Sequence, residues 1–268
     1  VGGAAAGVYG TGAGGVAGVA VLVALQVGQP VDWGAVLPVD AGRAASEAGV
    51  RDLSLFLLRE QQWALAEPWL RRLGDAEMLA DCLAAMGRNA EAEAEYAKAP
   101  STRALARRTE LTGDPQYLEQ AVRRERKPGY LNDLALLLKG SARAEALLRE
   151  ALAAQEKTLG PQHPEVGTTL NNLGSELFAK GKLAEAEAVQ RRSLRVLETA
   201  LGPRHVRTGL GASNLADVLA AAGKPSGAFY EQAWRIFNAQ LGPRHPWTVE
   251  AAAAASAART PQSNGLKK

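Results

Sequence analysis

From Arg51 onward the chain repeats a short pattern: a Leu followed by a small residue, with a second Leu four positions after the first. It occurs as Leu53-Ser54 with Leu57, Leu79-Ala80 with Leu83, Leu134-Ala135 with Leu138, Leu173-Gly174 with Leu177, and Leu215-Ala216 with Leu219. Leu105-Ala106 continues it with Thr109 in the third place. Positions i and i+4 share one face of an α-helix, so each copy predicts an amphipathic helix whose small residue marks a close crossing. Successive copies stand 26, 26, 29, 39 and 42 residues apart. Each interval has room for that helix, a turn and a second helix, which predicts a stack of hairpins. The shortest period leaves about 10 residues, or roughly 15 Å, per helix, whereas the run from Leu183 to Ala200 is long enough for about 27 Å. The helices should therefore lengthen along the chain.

A second repeat punctuates the first. Leu-Gly-Pro-(Gln/Arg)-His occurs at Leu159 to His163, Leu201 to His205 and Leu241 to His245, and these copies hold every histidine of the chain. Gly and Pro stop one helix, His stands at or just before the N-cap of the next, and Pro164 or Pro246 takes the favoured first turn. Val206 replaces that proline in the middle copy. A metal shared by the three imidazoles is excluded by distance. Equivalent residues of neighbouring hairpins lie about two helix spacings apart, roughly 16 to 20 Å, whereas zinc holds its nitrogen ligands at about 2 Å. Catalysis needs a nucleophile or acid beside an oriented base, and no Ser, Cys or carboxylate is paired with these turns. Cys82 is the single cysteine, so there is neither a disulfide framework nor a Cys-rich zinc site. The expectation is a chain with no catalytic, metal or cofactor site.

The hairpin pattern resembles the tetratricopeptide repeat. In the clearest early copy, Leu79 to Ala99, Gly87 falls at the turn, Ala92 at the small position of the second helix, Tyr96 at its aromatic position and Ala99 at its last packing position. Gly181, Ala186 and Leu194 serve the unit of Leu173 in the same way. The Leu-Gly-Pro-x-His phrase, followed by proline and by Leu170-Asn171-Asn172-Leu173-Gly174, is similar to the 42-residue repeats of kinesin light chains. The chain departs from the pattern in lacking Trp at position 4 of every first helix. It departs again at Lys224-Pro225-Ser226-Gly227, which shortens one unit by two residues. The resemblance implies an all-α, right-handed solenoid of about six hairpins, short-pitched at first and 42-residue in period later, closed by an extra helix from about Trp247 to Arg259.

It also implies a site. Asn171, Asn172, Ser175, Ser213, Asn214 and Asp217 fall at positions 5, 6 and 9 of consecutive first helices, on the side away from Leu positions 7 and 11. In the kinesin light chain family, asparagines matching Asn172 and Asn214 hold the main chain of a bound peptide. A carboxamide offers a donor and an acceptor together, so it can grip a backbone without reading side chains. The expected function is non-enzymatic recognition of a protein or extended peptide in the concave groove.

Composition adjusts this picture only slightly. With 47% apolar but 5% aromatic residues, the chain suits packed helices better than sheets. Its formal charge of +3 is mixed rather than gathered in one block, so nucleic acid is not an expected partner. Arginine clusters such as Arg123-Arg124-Glu125-Arg126 read as solvated faces placed late in helices. Residues 1–31 carry no charge and include the apolar run Val16 to Val27, which reads as a signal peptide or anchor, although no basic residue precedes it. That leader directs the chain to the periplasm, cell envelope or exterior, and to the cytoplasm if it is not a signal; membrane contact would come through it alone. Gly10-Thr11-Gly12-Ala13-Gly14-Gly15 satisfies a dinucleotide-binding spacing but follows no credible strand, and is rejected. The expected organisation is a leader (1–31), an entry segment (32–50), short hairpins (51–158), long hairpins with a capping helix (159–260) and a disordered tail (261–268). The rival to peptide binding is a structural or membrane-tethered module whose leader or edge joins copies of the chain into a homo-oligomer.

The hairpin of Leu173 should cross closely between Gly174 and Ala186. Ala186→Leu would overpack that crossing and lower stability by about 1 to 3 kcal/mol, measured by thermal melting. A variant that melts with the parent would refute the hairpin assignment.

Overall fold

The computed structural model describes residues 47–259. The leader, with the export and anchoring expectations that depend on it, and the tail lie outside the described residues, as does most of the entry segment. Within them are thirteen α-helices and no strand. These are α1 (Glu47–Arg59), α2 (Trp63–Leu73), α3 (Ala76–Ala85), α4 (Asn89–Tyr96), α5 (Thr102–Thr112), α6 (Pro115–Arg124), α7 (Pro128–Leu137), α8 (Ala142–Leu159), α9 (Pro164–Ala179), α10 (Leu183–Leu201), α11 (Val206–Ala221), α12 (Gly227–Leu241) and α13 (Pro246–Arg259). None of them is long and apolar enough to cross a membrane. The pairs α1–α2 and α3–α4 pack as hairpins, as do α7–α8, α9–α10 and α11–α12, with α13 closing on α12. The lengthening is also present, from 10 and 8 residues in α3 and α4 to 16 and 19 in α9 and α10.

Contacts divide the chain after Leu111 into two compact units. In the first, α1 packs on α2, α2 on α3 and α3 on α4. Leu57, Leu70, Leu83 and Tyr96 fill the core, with Ala66, Ala80, Ala92 and Ala104 where backbones approach. Cys82 is buried there, its thiol directed at the carbonyl of Trp63, and burial pushes its pKa up to about 11. Such a thiol stays protonated and unreactive. The surface is tied by charge: Arg88 bridges Glu67 of α2 and Glu91 of α4, and Arg103 of α5 bridges Glu77 and Asp81 of α3.

In the second unit each helix from α6 onward packs chiefly on its neighbours in sequence, and α9 also touches α11. That is the quasi-one-dimensional order of a solenoid. The hairpin α9–α10 shows what sets its spacing. A Cβ on Gly167 would lie 2.8 Å from Leu197, and one on Gly174 would lie 2.6 Å from Gln190. Glycines seven residues apart thus face large side chains seven residues apart on an antiparallel helix. The crossing expected between Gly174 and Ala186 is centred instead on Gln190, one turn further along α10, because the long amide lies flat in the space that Gly174 leaves. Ala186 is itself fully buried. In the next hairpin Gly209 faces Phe237 in the same way, at 2.7 Å.

The two-residue shortening appears as a late start: α12 begins at Gly227, and Ser226 precedes it without capping through its side chain. Polar ties recur from hairpin to hairpin. Lys182 of the α9–α10 turn reaches Glu145 of α8, and Lys224 of the α11–α12 turn reaches Glu187 of α10. Lys182, Arg149 and Lys180 together draw the Glu145 pKa down to about 2. Glu176 of α9, almost wholly buried, accepts from the backbone N–H of Gly140 and so fixes the α7–α8 turn.

The three histidines cap helices. Nδ1 of His163, His205 and His245 accepts the backbone N–H two residues on, at 3.2, 3.1 and 3.2 Å. The accepting nitrogen carries no proton, which fixes the tautomer with hydrogen on Nε2. Each cap follows a glycine at φ 88, 90 or 87° with extended ψ, a conformation that side chains exclude. The Thr208 and Thr248 hydroxyls close the later two turns by donating to the carbonyls of Gly202 and Gly242, both at 2.9 Å.

His205→Ala should therefore cost about 0.5 to 2 kcal/mol in chemical denaturation through loss of the cap. His205→Asn, which keeps an acceptor at the same place, should stay close to the parent. Equal losses in both variants would show that the imidazole contributes packing and not capping.

Candidate functional site

The expected groove residues lie on α9 and α11, and the structure joins them through their side chains. Asn172 Nδ2 donates to Asn132 Oδ1 on α7 at 2.9 Å, and Asn214 Nδ2 donates to Asn171 Oδ1 at 3.0 Å. Each bond runs from position 6 of one first helix to position 5 of the first helix before it. The result is a ladder of carboxamides across α7, α9 and α11. Asn214 also lies 3.3 Å from the hydroxyl of Ser175, which in turn donates to the carbonyl of Asn171 at 3.0 Å. Asn171, Asn172, Ser175, Ser213, Asn214 and Asp217 are all half-buried, which leaves part of each side chain facing solvent. The Ser213 hydroxyl has no partner among the described residues.

The ladder is braced from behind. Gln190 of α10 passes under Gly174 and donates to the Asn171 carbonyl at 3.0 Å, with the Ser175 hydroxyl at 3.5 Å. Its Oε1 is buried without a hydrogen-bond partner among the described residues. Other hairpins use a different pair at this level. Tyr230 of α12 donates its hydroxyl to Asp217 of α11 at 2.7 Å, and in the first unit Tyr96 of α4 donates to Asp81 of α3. Asp217 is thus brought to the same stripe but is engaged by its own hairpin. Burial raises its pKa above the ordinary carboxylate value; the Tyr230 hydroxyl opposes this, and the nearby charge of Glu250 adds to it.

Sequence reasoning missed two members of the site. Asn132 was legible, since Asn132-Asp133-Leu134-Ala135 has the phase of Asn171-Asn172-Leu173-Gly174. Gln190 was not, because nothing in its own sequence context distinguishes it from a solvated residue of a long helix. One turn from Asn132, Leu136 is 49% exposed and offers an apolar contact beside the amides. The ladder stops at α13, where Ala253 and Ala254 stand 40 residues after Ser213 and Asn214.

The arginine clusters are engaged in ion pairs: Arg126 grips Glu150 through two nitrogens, Arg191 meets Glu187 and Arg192 meets Glu156. Among the described residues no three His, Cys, Asp or Glu side chains gather as a metal site would require.

Residues 130–199, which include Asn132, Asn171 and Asn172, match the family profile of the tetratricopeptide repeat. No curated protein matches the sequence. Among solved structures, the APC/C hetero-tetramer Cut9-Hcn1 is similar at 14% identity and a TM-score of 0.57, covering 80% of this chain and 43% of that one. The present chain thus spans less than half of that relative. The C-terminal part of a TPR repeat-containing protein from Cytophaga hutchinsonii is similar at 14% identity and a TM-score of 0.53, over 77% of this chain and 92% of that one. BtubC (BKLC) from P. vanneervenii is 22% identical over 86% of this chain and 91% of its own, with a TM-score of 0.41. Residues 130–199 thus match tetratricopeptide repeats, and the chain has the helical-hairpin solenoid fold of such proteins. Repeats of this family generally mediate contact between proteins and generally do so without catalysis.

The half-buried Asp217 carboxylate gives a test by pH. Because its pKa is raised in the folded protein, its favourable contribution is complete below about 3.8, the unfolded value, and is lost as pH rises through the folded value. Asp217→Asn cannot ionise and lacks that loss. Urea unfolding at a series of pH values should show the variant gaining on the parent as pH rises above about 4. Parallel curves would mean that Asp217 is as well solvated folded as unfolded.

Proposed function

We propose that the second unit binds an extended polypeptide along the face formed by α7, α9 and α11. The ladder Asn132–Asn172 and Asn171–Asn214 carries this reading. Asn172 and Asn214 each spend one N–H in the ladder, Asn132 and Asn171 each accept one through Oδ1, and every amide keeps further donor or acceptor capacity for a ligand. A peptide main chain presents one donor and one acceptor per residue, the complement of such a row. Amides already fixed by each other and by Gln190 lose little freedom when they engage a ligand, which lowers the entropic cost of binding.

Magnitudes set what else is needed. A hydrogen bond nets about 0.5 to 1.5 kcal/mol, whereas micromolar affinity requires about 8 kcal/mol. Several amide contacts must therefore act together with apolar burial, and Leu136 is the exposed apolar side chain nearest Asn132 along α7. The amides give affinity for a backbone, and side-chain choice falls to such apolar neighbours. The partner is accordingly a protein with an accessible extended segment, and the role is recognition without turnover.

Affinity capture with the intact chain, beside the double variant Asn172→Ala and Asn214→Ala, tests this reading. The parent should retain partners that the double variant loses at least tenfold, about 1.4 kcal/mol, while both show the same helical circular dichroism. Retention of the same partners by both chains would sink it.

A further inference from the structure

Most cations of the described residues are paired, and the exceptions are not scattered evenly. Six have neither a hydrogen bond nor an ion pair from their side chains: Arg59, Lys139, Lys157, Arg195, Arg204 and Arg244. Arg204 and Arg244 occupy equivalent places in two successive Gly-Pro-Arg-His turns, and Lys157 lies in the last turn of α8, just before the first Gly-Pro turn. Second helices end and first helices begin at these turns, so all three turns lie along one edge of the second unit. Against these three cations stand Glu250, exposed after the third turn and in no ion pair, and Glu198, whose partner is a neutral amide; the other two flanking carboxylates are neutralised. Glu156 is held by Arg192, Glu165 by Arg207, and Glu198 accepts from Gln232. The edge is left positive, with Arg204 and Arg244 exposed.

The same edge is also apolar. Leu159, Trp247 and Val249 are 47%, 40% and 55% exposed. The Trp247 ring packs edge-on to His245 at 5.2 Å between centroids and tilted against Phe237 at 5.7 Å. A large, partly exposed ring three residues after the unpaired Arg244 has the composition of a protein-binding contact.

We propose that this edge is a second interaction surface, separate from the amide face, and that it takes an acidic polypeptide segment with an apolar residue next to its carboxylates. Guanidinium groups recognise carboxylates through paired hydrogen bonds, and Trp247 covers the apolar side chain. Equivalent points on neighbouring hairpins lie about 16 to 20 Å apart, a distance that an extended chain at about 3.3 Å per residue covers in five or six residues. The acidic positions of the partner are therefore about five or six residues apart. A nucleic-acid backbone fits less well, since its charges follow every few ångströms and call for many closely spaced cations.

The test is fluorescence polarisation with the labelled peptide Glu-Glu-Phe-Ser-Ser-Leu-Glu-Glu and its counterpart with Gln in place of every Glu. The acidic peptide should bind the intact chain, and the Gln peptide at least tenfold more weakly. Arg204→Glu with Arg244→Glu should lose at least tenfold. Arg59→Glu with Lys139→Glu, the same change of charge at other unpaired cations, should leave binding within twofold. Asn172→Ala with Asn214→Ala should also bind normally, which separates this surface from the amide face. No binding of the acidic peptide, equal binding of the Gln peptide, or equal loss in the two charge-reversed variants would each overturn the proposal. So would binding of duplex DNA or phosphatidylserine vesicles, lost on reversing Arg204 and Arg244, in a chain that does not bind the acidic peptide.

Discussion

Two α-helices can lie side by side at the separation of this hairpin only if one of them gives up side-chain volume where they cross. In α9 and α10 that volume is surrendered by Gly167 and Gly174, and it is taken up by Leu197 and Gln190. The seven-residue interval on both helices keeps the two contacts on one seam, and it sets the axial register of the hairpin. Everything on the exposed side of α9 inherits its position from this seam. Gln190 reaches the Asn171 carbonyl because no Cβ on Gly174 blocks it, and the amide ladder rests on the helix that this contact steadies. Packing at the back of the hairpin and chemistry at its front are thus parts of one constraint.

The fold was legible because its signals are local and repeated. A Leu-small pair on one helix face, a Gly-Pro stop and a following His each state a short-range requirement, and each recurs at nearly constant spacing. The capping role of the histidines followed from their place between a helix stop and a helix start, and the imidazoles do accept from the N–H groups of the helices they precede. The lengthening of the helices followed from the spacing of the leucines. The crossing partner of Gly174 was misplaced by one turn, because Ala186 has the composition expected of a close contact whereas Gln190 has that of a solvated residue. Burial of a glutamine against glycine is decided by the neighbouring helix, and its own sequence does not announce it.

The candidate site was legible in its residue types and phase but not in its connections. Asn171, Asn172, Ser175 and Asn214 form a contiguous polar cluster, and Asn132 extends it to the preceding helix. Asp217 reads as a groove position but turns to Tyr230, the same pair that Asp81 and Tyr96 form between the helices of an earlier hairpin. Polar groups within a repeat architecture have two claimants, the adjacent hairpin and an incoming ligand, and only coordinates show which claims are already met. Here the ladder meets the first claim without exhausting the second.

Both amide bonds of the ladder point the same way, with the later helix donating and the earlier one accepting. The two directions along this face are therefore chemically unlike. A bound strand would meet the remaining donors and acceptors in one order when it runs parallel to the stack and in the opposite order when it runs against it, so the face distinguishes the polarity of a backbone before any side chain is consulted. The alanines of α13 sharpen that asymmetry, because the row of amides has a blank terminus at one end only within the span from α9 to α13.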